Sequence, residues 1–530
     1  MKTMRIFAAA MLLVTSAAAL SAQTMYDGLK YSDINLYGTA RSIALGNAMT
    51  AVGGDLGSIA LNPAGSSVAG YSQFSLTQGV SYANTGADYS SIAGSDVFEP
   101  TYSTDKGRYT MPNIGFVMNM DTPASSSVRS VSVGMIVNTT NRSLDKMTAM
   151  GLNSTTSMTG AMAYAANGIP FTNMESGSAY DNYNWPTVLA YKSYMISGLD
   201  GSTDKYIGAT EAIDGAGNII LGGPIQQRYV MQHTGSRNDL LFNVAANISD
   251  MFYIGFNLGC PIISYNEDIY QMEAADDPAD FEQTVNGATT YFNSAAQTYY
   301  LETDGSGVYA QIGAIATLAG FRLGFSVKTP TYYTMRERWG YDAETIYSTF
   351  SQSASSNEGD YRYDFVTPFE TNLGVAYTLG GFLLASADWG YVNYKNMKFR
   401  SADDDMYYSD EFDGVNDDIN RYAGKAKQFR FGLEFKPLGV LALRYGYNSK
   451  VYDGYDGKDK TNSHAFGIGY SSNGSFFADF VVRSTKYPYQ WYYPYDDYMY
   501  DDAGSLSVRS AEIGYSKSML DCLLTVGWRF

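Results

Sequence analysis

The chain ends on Leu523-Leu524-Thr525-Val526-Gly527-Trp528-Arg529-Phe530, where Leu524, Val526, Trp528 and Phe530 alternate with Thr525, Gly527 and Arg529. An extended strand points successive side chains to opposite faces, so this segment has one apolar face and one small or polar face. Two structures fit that pattern: the last strand of a soluble sandwich, and the closing strand of a transmembrane barrel, whose lipid-facing and lumen-facing residues alternate. The connections elsewhere separate them. Tight links fall at Asp250-Met251, Ala319-Gly320, Gly380-Gly381, residues 437–439 and residues 472–474. Long polar connections run over residues 139–237, 266–295, 336–360, 399–424 and 487–504. Short and long alternate, as the two ends of an outer-membrane barrel do. A compact soluble domain rarely carries so many long loops.

Period-2 alternation places strands at residues 71–82, 109–120, 128–138, 239–249, 252–265, 297–318 and 321–333. It continues at 361–379, 382–394, 425–437, 439–452, 463–471, 474–484 and 519–530. The expected fold is all-β, a fourteen-stranded antiparallel transmembrane barrel over residues 71–530. A further strand-like stretch, 506–515, reads as an extension into the last strand, because bacterial single-chain barrels have even strand numbers. The 139–237 loop, rich in Met, Ser, Gly and Tyr, shows no helical period. The Tyr/Asp-rich 487–502 stretch reads as a solvated surface tip.

At the other end, Lys2 and Arg5 precede an apolar run to Leu20 and then Ser21-Ala22. This reads as a signal peptide, residues 1–22, cut after Ala22 or, because Leu20 is unusual three residues before the mature end, a residue or two away, and it implies export to the outer membrane. No later run approaches the roughly 18 apolar residues of a membrane helix. With 47 Tyr and 53 Gly among 530 residues, composition suits aromatic girdles and turn-rich strands. A net charge of -18 argues against a nucleic-acid partner. Only Cys260, Cys522, His233 and His464 are present of their types, with no ligand spacing for a metal. No cofactor is expected.

Residues 23–70 do not alternate. They contain Gly46-Asn47-Ala48, Gly53-Gly54-Asp55 and Asn62-Pro63-Ala64-Gly65. Small residues suit close packing in a confined space, and Asn-Pro initiates a turn because Asn bonds the local backbone while Pro fixes φ. The residues alone leave a compact structural turn and a gating element equally open. In these motifs, and in their place just before the first strand, the chain resembles the FadL-type transporters of long-chain fatty acids and hydrocarbons, most of all their Bacteroidetes branch. The resemblance implies a barrel plugged by an N-terminal hatch (residues 23–70), to which Asn62, Pro63 and Ala64 belong. It also implies passive capture of a hydrophobic ligand from outside and lateral release through a gap in the wall. Ser66 and the very long 139–237 loop depart from the family pattern, so ligand-capturing groups do not carry over.

Lateral release needs a break in a strand ladder. Gly134 in the third strand and Pro261 in the fifth are candidates, since a strand glycine marks a bulge and proline cannot donate; the resemblance favours the third strand. Inward positions carry Arg322, Lys328, Arg430, Arg444 and Arg483 with Asp388, Glu434 and Asp479. These suit a lumen ion-pair network or a plug contact, and an inward Arg also suits a substrate carboxylate. No nucleophile motif or in-phase catalytic set is present, so no enzyme is expected. The long loops leave a second function open, a surface scaffold for protein partners, in place of transport of hydrophobic molecules among outer-membrane lipids.

Overall fold

The computed structural model describes residues 23–91, 97–123, 125–285, 287–402, 411–455, 457–472, 475–500, 506–508 and 510–530. The proposed signal peptide and Gly474 of one tight link lie outside them. Fourteen wall strands close into an antiparallel barrel. In chain order they are β1 (Gln73–Ser91), β2 (Val97–Asp121), β3 (Val128–Asn153), β4 (Ile225–Ile248), β5 (Phe252–Ala275), β6 (Ala288–Leu318) and β7 (Phe321–Lys328). The second half is β8 (Glu370–Leu379), β9 (Leu383–Asn393), β10 (Lys425–Phe435), β11 (Leu441–Gly454), β12 (Gly457–Ser471), β13 (Phe476–Lys486) and β14 (Ala511–Arg529). Each pairs with its sequence neighbours, and β14 closes the ring on β1 from Gln73↔Arg529 to Ser91↔Ala511. Closure leaves no edge of unpaired N–H and C=O groups, which hydrocarbon could not satisfy.

Alternation sets the two faces. On β7, Phe321, Leu323 and Phe325 are exposed on the outer face, while Gly324 and Ser326 between Arg322 and Lys328 point to the lumen. The short-turn end is made of tight turns whose residues take left-handed φ, among them Ser249-Asp250, Ala319-Gly320 and Gly380-Gly381. Such turns match the twist of the strands they join.

At the other end the wall is taller than its alternation suggests. Residues 139–153 and 225–237, expected as loop, prolong β3 and β4 with pairing as far as Asn153↔Ile225. The 266–295 and 336–360 connections likewise contain the tops of β5 and β6 and the strand Tyr332–Tyr347. Beyond the lipid the outer face turns polar and the buried inner face mixes Asp145 and Gln227 with Met147, Tyr229 and Met231, so period 2 fades while the ladder continues. The 506–515 stretch does lead into β14.

Between β3 and β4 stands an ordered lobe with helices α3 (Met158–Ala166) and α4 (Trp185–Lys192), named after α1 (Met25–Ser32) and α2 (Ala40–Ala44) of the N-terminal segment. Met158, Met174, Val188, Leu189, Met195 and Ile196 form its core. The 487–502 stretch corrects the expectation of a solvated tip: Tyr495 and Tyr498 are buried against this lobe. Gln227 Nε2 donates to Tyr495 Oη at 2.9 Å and Ser157 N to Tyr498 Oη at 2.9 Å. Tyrosine is apolar in body and polar at the tip, so the same residue serves solvent or an interior.

The lobe also carries a pH dependence. Glu211 is buried, its Oε2 accepting from Gly208 N at 2.8 Å, and burial raises its carboxyl from 4.5 to about 7. The folded lobe therefore binds a proton more tightly than the unfolded one. Stability is full below pH 4.5 and falls as pH rises to about 7, by roughly 3 kcal/mol in all. Hydrogen exchange of residues 158–213, corrected for intrinsic rate, is expected to be better protected at pH 5 than at pH 8. Glu211→Gln should reduce that difference, leaving the part due to Glu273, which burial also raises and which accepts from Ser157 Oγ and Met158 N; an undiminished difference assigns it elsewhere.

Candidate functional site

The N-terminal segment runs through the lumen. Ala40, Ile43 and Ala44 pack on Ala465, Val481 and Leu523, while Leu56 and Ile59 pack on Val117, Ile136, Leu241 and Tyr309 across the barrel. Its turns are built locally. Gly46, Asn47, Gly53 and Gly54 take φ of 62, 59, 63 and 70°. Asn47 stabilises its strained backbone by donating Nδ2 to Leu36 O at 2.9 Å. Asp55 caps a short 3-10 helix, Leu56–Ala60, accepting Gly57 N at 2.9 Å and Thr39 Oγ1 at 2.6 Å. Gly54 N donates to Gly65 O at 2.8 Å, and Gly53 lies against Gly65 where a side chain would collide. The Gly53-Gly54 and Asn62–Gly65 motifs, separate in sequence, thus meet in one knot, while Gly46 lies against the wall at Phe431 and Tyr447.

Asn62 ties that knot to the wall. Its Oδ1 accepts Ala64 N at 3.1 Å, and its Nδ2 donates to Thr50 O at 2.7 Å and to Ala314 O of β6 at 3.1 Å. Pro63 opens the second 3-10 helix, Pro63–Val68. From the wall, Asn243 Nδ2 donates to Pro63 O at 3.0 Å, Asn257 Nδ2 to Ile59 O at 2.9 Å and Gln311 Nε2 to Leu61 O at 3.1 Å. These amides are functional candidates that the sequence reading passed over. Their signal was an uncharged polar residue in lumen phase on each of three successive strands.

A second wall feature is a collar of glycines. A Cβ on Gly313 would sit 2.0 Å from Asn62 Oδ1, on Gly255 2.4 Å from Ala64 N, and on Gly324 2.2 Å from Thr50 O. On the far side, a Cβ on Gly432 would lie 2.7 Å from Leu45 O and on Gly446 2.0 Å from Gly46 N. At Gly255, Gly324, Gly432 and Gly446 segment backbone rests on wall backbone, and at Gly313 the Asn62 side chain does.

The candidate lumen cations are all engaged. Arg444 bridges Glu434 at 2.6 Å and Asp479 at 2.5 Å. Arg483 pairs with Asp521 at 2.8 Å and reaches Leu36 O at 3.4 Å. Arg322 donates to Val52 O at 2.8 Å, and Arg41 of the segment pairs with Glu434 at 3.1 Å. Arg430 lies 3.9 Å from Asp388, whose other bonds come from Thr50 N and Oγ1 at 2.8 and 2.6 Å. Lys328 on β7 pairs at 3.0 Å with Glu370, directly opposite on β8.

The wall itself is interrupted, though not at the favoured place. Gly134 is laddered to Val117 on one side and Asn243 on the other, which corrects the expectation of a break in β3. Its missing Cβ makes room instead for Val117 Cγ2 and Phe116 O. Pro261 does coincide with a gap: β5 and β6 pair at Ile262↔Ser306 and again at Gly259↔Tyr309, with no ladder pair between. The larger interruption went unread. β7 stops at Lys328 and resumes as Tyr332–Tyr347; Gly359–Val366 stops and resumes as β8 at Glu370. Both neighbouring pairings share one register, which sets Pro330 opposite Pro368. Neither proline can donate to the ladder. The gap keeps one backbone bond, Thr367 N to Thr331 O at 3.0 Å. On its outer face stand exposed Tyr332 and Phe369.

Behind the gap lies a cavity of about 50 Å³, lined by Leu36 and Leu61 of the segment and by Lys328, Glu370, Arg430 and Lys450 of the wall, among others. That volume holds a few waters. A second recess of about 250 Å³ opens at the short-turn end beside Gly53 and Gly54. No family model matches the sequence. No curated protein matches it either. Solved structures do. A deletion mutant of TodX, described as a monoaromatic hydrocarbon channel, is 13% identical, with 93% of this chain and 99% of that one covered at a TM-score of 0.50. This is the TodX fold. The toluene transporter TodX of P. putida itself gives 12% identity, 94% and 99% coverage and a TM-score of 0.49. A Pseudomonas aeruginosa FadL homologue gives 11%, 93%, 98% and 0.48. Near-complete coverage of both chains extends the likeness to the TodX fold over most of this chain's length.

Proposed function

We propose that the chain is an outer-membrane channel of the FadL type for hydrophobic small molecules, exported with residues 1–22 removed, and that residues 23–70 act as its hatch. The observation that carries this reading is a lumen filled by residues 23–70 beside a wall interrupted at Pro330 and Pro368, with a small cavity at the hatch surface that reaches the flanking Lys328 and Glu370. A filled lumen offers no straight aqueous pore, so a ligand passes only by moving the hatch or by widening the wall. The wall route is favoured where three prolines, Pro261, Pro330 and Pro368, have already removed ladder donors, because little backbone bonding is left to break. Lys328, Arg430 and Lys450 line the cavity, each beside a carboxylate (Glu370, Asp388 and Asp33), so the anionic head of an amphiphile such as a long-chain fatty acid would exchange with one of these partners.

Purified protein in detergent is expected to bind a fluorescent fatty acid saturably. No saturable binding of fatty acids, aromatic hydrocarbons or haem-like ligands would sink the transport reading. For the exit, Thr331→Cys with Thr367→Cys, in a background with Cys260 and Cys522 changed to Ser, places a pair across the gap at a spacing a disulfide spans. Oxidation is expected to stop uptake into cells and reduction to restore it, while binding in detergent persists. Uptake indifferent to oxidation would remove this gap from the route.

A further inference from the structure

At the upper end of the lumen a carboxylate is buried without a cation. Glu337 is 4% exposed, enclosed with the fully buried rings of Tyr31 and Tyr363. It accepts three hydrogen bonds: from Gln23 Nε2 at 2.7 Å, Tyr31 Oη at 3.0 Å and Tyr363 Oη at 2.6 Å. Among the described residues no Lys or Arg forms an ion pair with it, although ion pairs are common elsewhere in the lumen. Three neutral donors do not offset the cost of withdrawing a full charge from water; a buried charge is ordinarily paired.

Gln23 is the first described residue, and it is itself buried, its side-chain Oε1 enclosed with no donor. Its amide already touches Glu337, so its backbone nitrogen lies within one side chain's length of the same carboxylate. From Thr24 onward the chain is fixed: Thr24 and Asp27 form a reciprocal capping box at the start of α1.

We propose that cleavage between Ala22 and Gln23 creates the missing cation, the Gln23 α-ammonium, and that its pairing with Glu337 locks α1 into the top of the lumen. Hydrolysis adds one water across the Ala22–Gln23 amide, leaving a carboxylate on the departing signal and an ammonium on the protein. The uncut chain holds an uncharged amide nitrogen at the same place. Signal removal and closure of the lumen are thereby coupled: only the processed chain supplies the charge that Glu337 is buried to receive. The inference rests on the export reading above, and on one particular cleavage position within it.

The experiment uses the protein isolated from outer membranes. Intact mass and N-terminal sequencing should give free Gln23 as the first residue. An amine-reactive ester should then label the α-amine of the wild type about ten-fold or more slowly than that of Glu337→Gln, the factor that a one-unit rise in amine pKa produces at neutral pH. Should Glu337→Gln fail to fold, Tyr363→Phe removes one competing donor and keeps the carboxylate; there the amine is expected to stay protected. Equal labelling of wild type and Glu337→Gln, or free labelling in both the wild type and Tyr363→Phe, overturns the ion pair while leaving export intact. A first residue other than Gln23, or Gln23 cyclised to the lactam with loss of ammonia, overturns the proposal without touching transport. A full-length chain still carrying residues 1–22 in the outer membrane overturns both this proposal and the processing on which it rests.

Discussion

Gly446→Val is expected to unseat the hatch from an otherwise intact barrel. A Cβ at 446 falls 2.0 Å from Gly46 N and 2.6 Å from Leu45 C, and both are backbone atoms with no rotamer to change. Gly46 cannot give way locally, since a Cβ of its own would meet Tyr447 O at 2.6 Å. Overpacking a close contact costs about 1–3 kcal/mol, and more where backbone must move. The wall strand is held on both sides, by Gly446↔Gly432 and Gly446↔Ala465, whereas the hatch is held by side-chain bonds and one short backbone pairing, Asn35 and Tyr37 with Thr140 and Thr139, away from Gly46 in sequence. The hatch therefore yields first. Planar-bilayer recordings should show a steady ion conductance absent from the wild type, and protease should cut near residues 40–50. Gly177→Val, at a glycine with nothing within 4 Å, serves as the control. A variant as silent as wild type, with its hatch still protected, would mean that the collar does not set the seat.

The second large effect concerns Asn62→Ala with Pro63→Ala. The change removes three hydrogen bonds and strands Thr50 O in a buried setting, at about 1–3 kcal/mol for an unsatisfied carbonyl, while Ala314 O stays within its strand ladder. It also frees the φ that Pro63 fixes at the start of its 3-10 helix. Uptake of the ligand is expected to fall several-fold, while heat-modifiable gel migration, a measure of barrel closure, stays normal. If uptake is unchanged, Asn62 and Pro63 make a structural turn and nothing more.

Where each strand crosses the lipid, the fold was legible, because apolar and polar surroundings on opposite faces write period 2 into residues such as Phe429–Phe435 and Leu441–Tyr447. Above the lipid that contrast is lost, so Arg142, Asp145 and Thr148 of β3 looked like loop. Helix α3 was hidden for a related reason: Ala and Met on most of its faces, buried nearly all round, leave no polar stripe to mark a period. The interruption opposite Pro368 was out of reach because β7 and β8 are joined through a long excursion; with no tight turn to fix the register, nothing in the sequence sets Pro330 against Pro368. Gly134 misled because a missing side chain serves packing as readily as bending. The lumen charges could be placed on the inner face by phase alone, but not their partners, since Arg444 takes carboxylates from two other strands, one on each side.

The seam between β1 and β14 dictates an order of assembly. Ser72 and Phe530 exchange backbone hydrogen bonds at 3.1 and 3.0 Å, so the ring shuts only when the first and last wall strands have met. The hatch runs directly into β1 and is present from the beginning, while the strands that enclose it come later. A sheet that curls toward such a seam meets the hatch on its concave side and wraps it. Threading it into a finished ring would drag Arg41, Asp55 and a folded knot past the collar. Each molecule is thus committed to the hatch it was born with: a detached copy supplied afterwards should fail to complement a barrel made without one, and that asymmetry records the direction in which the ring was drawn shut.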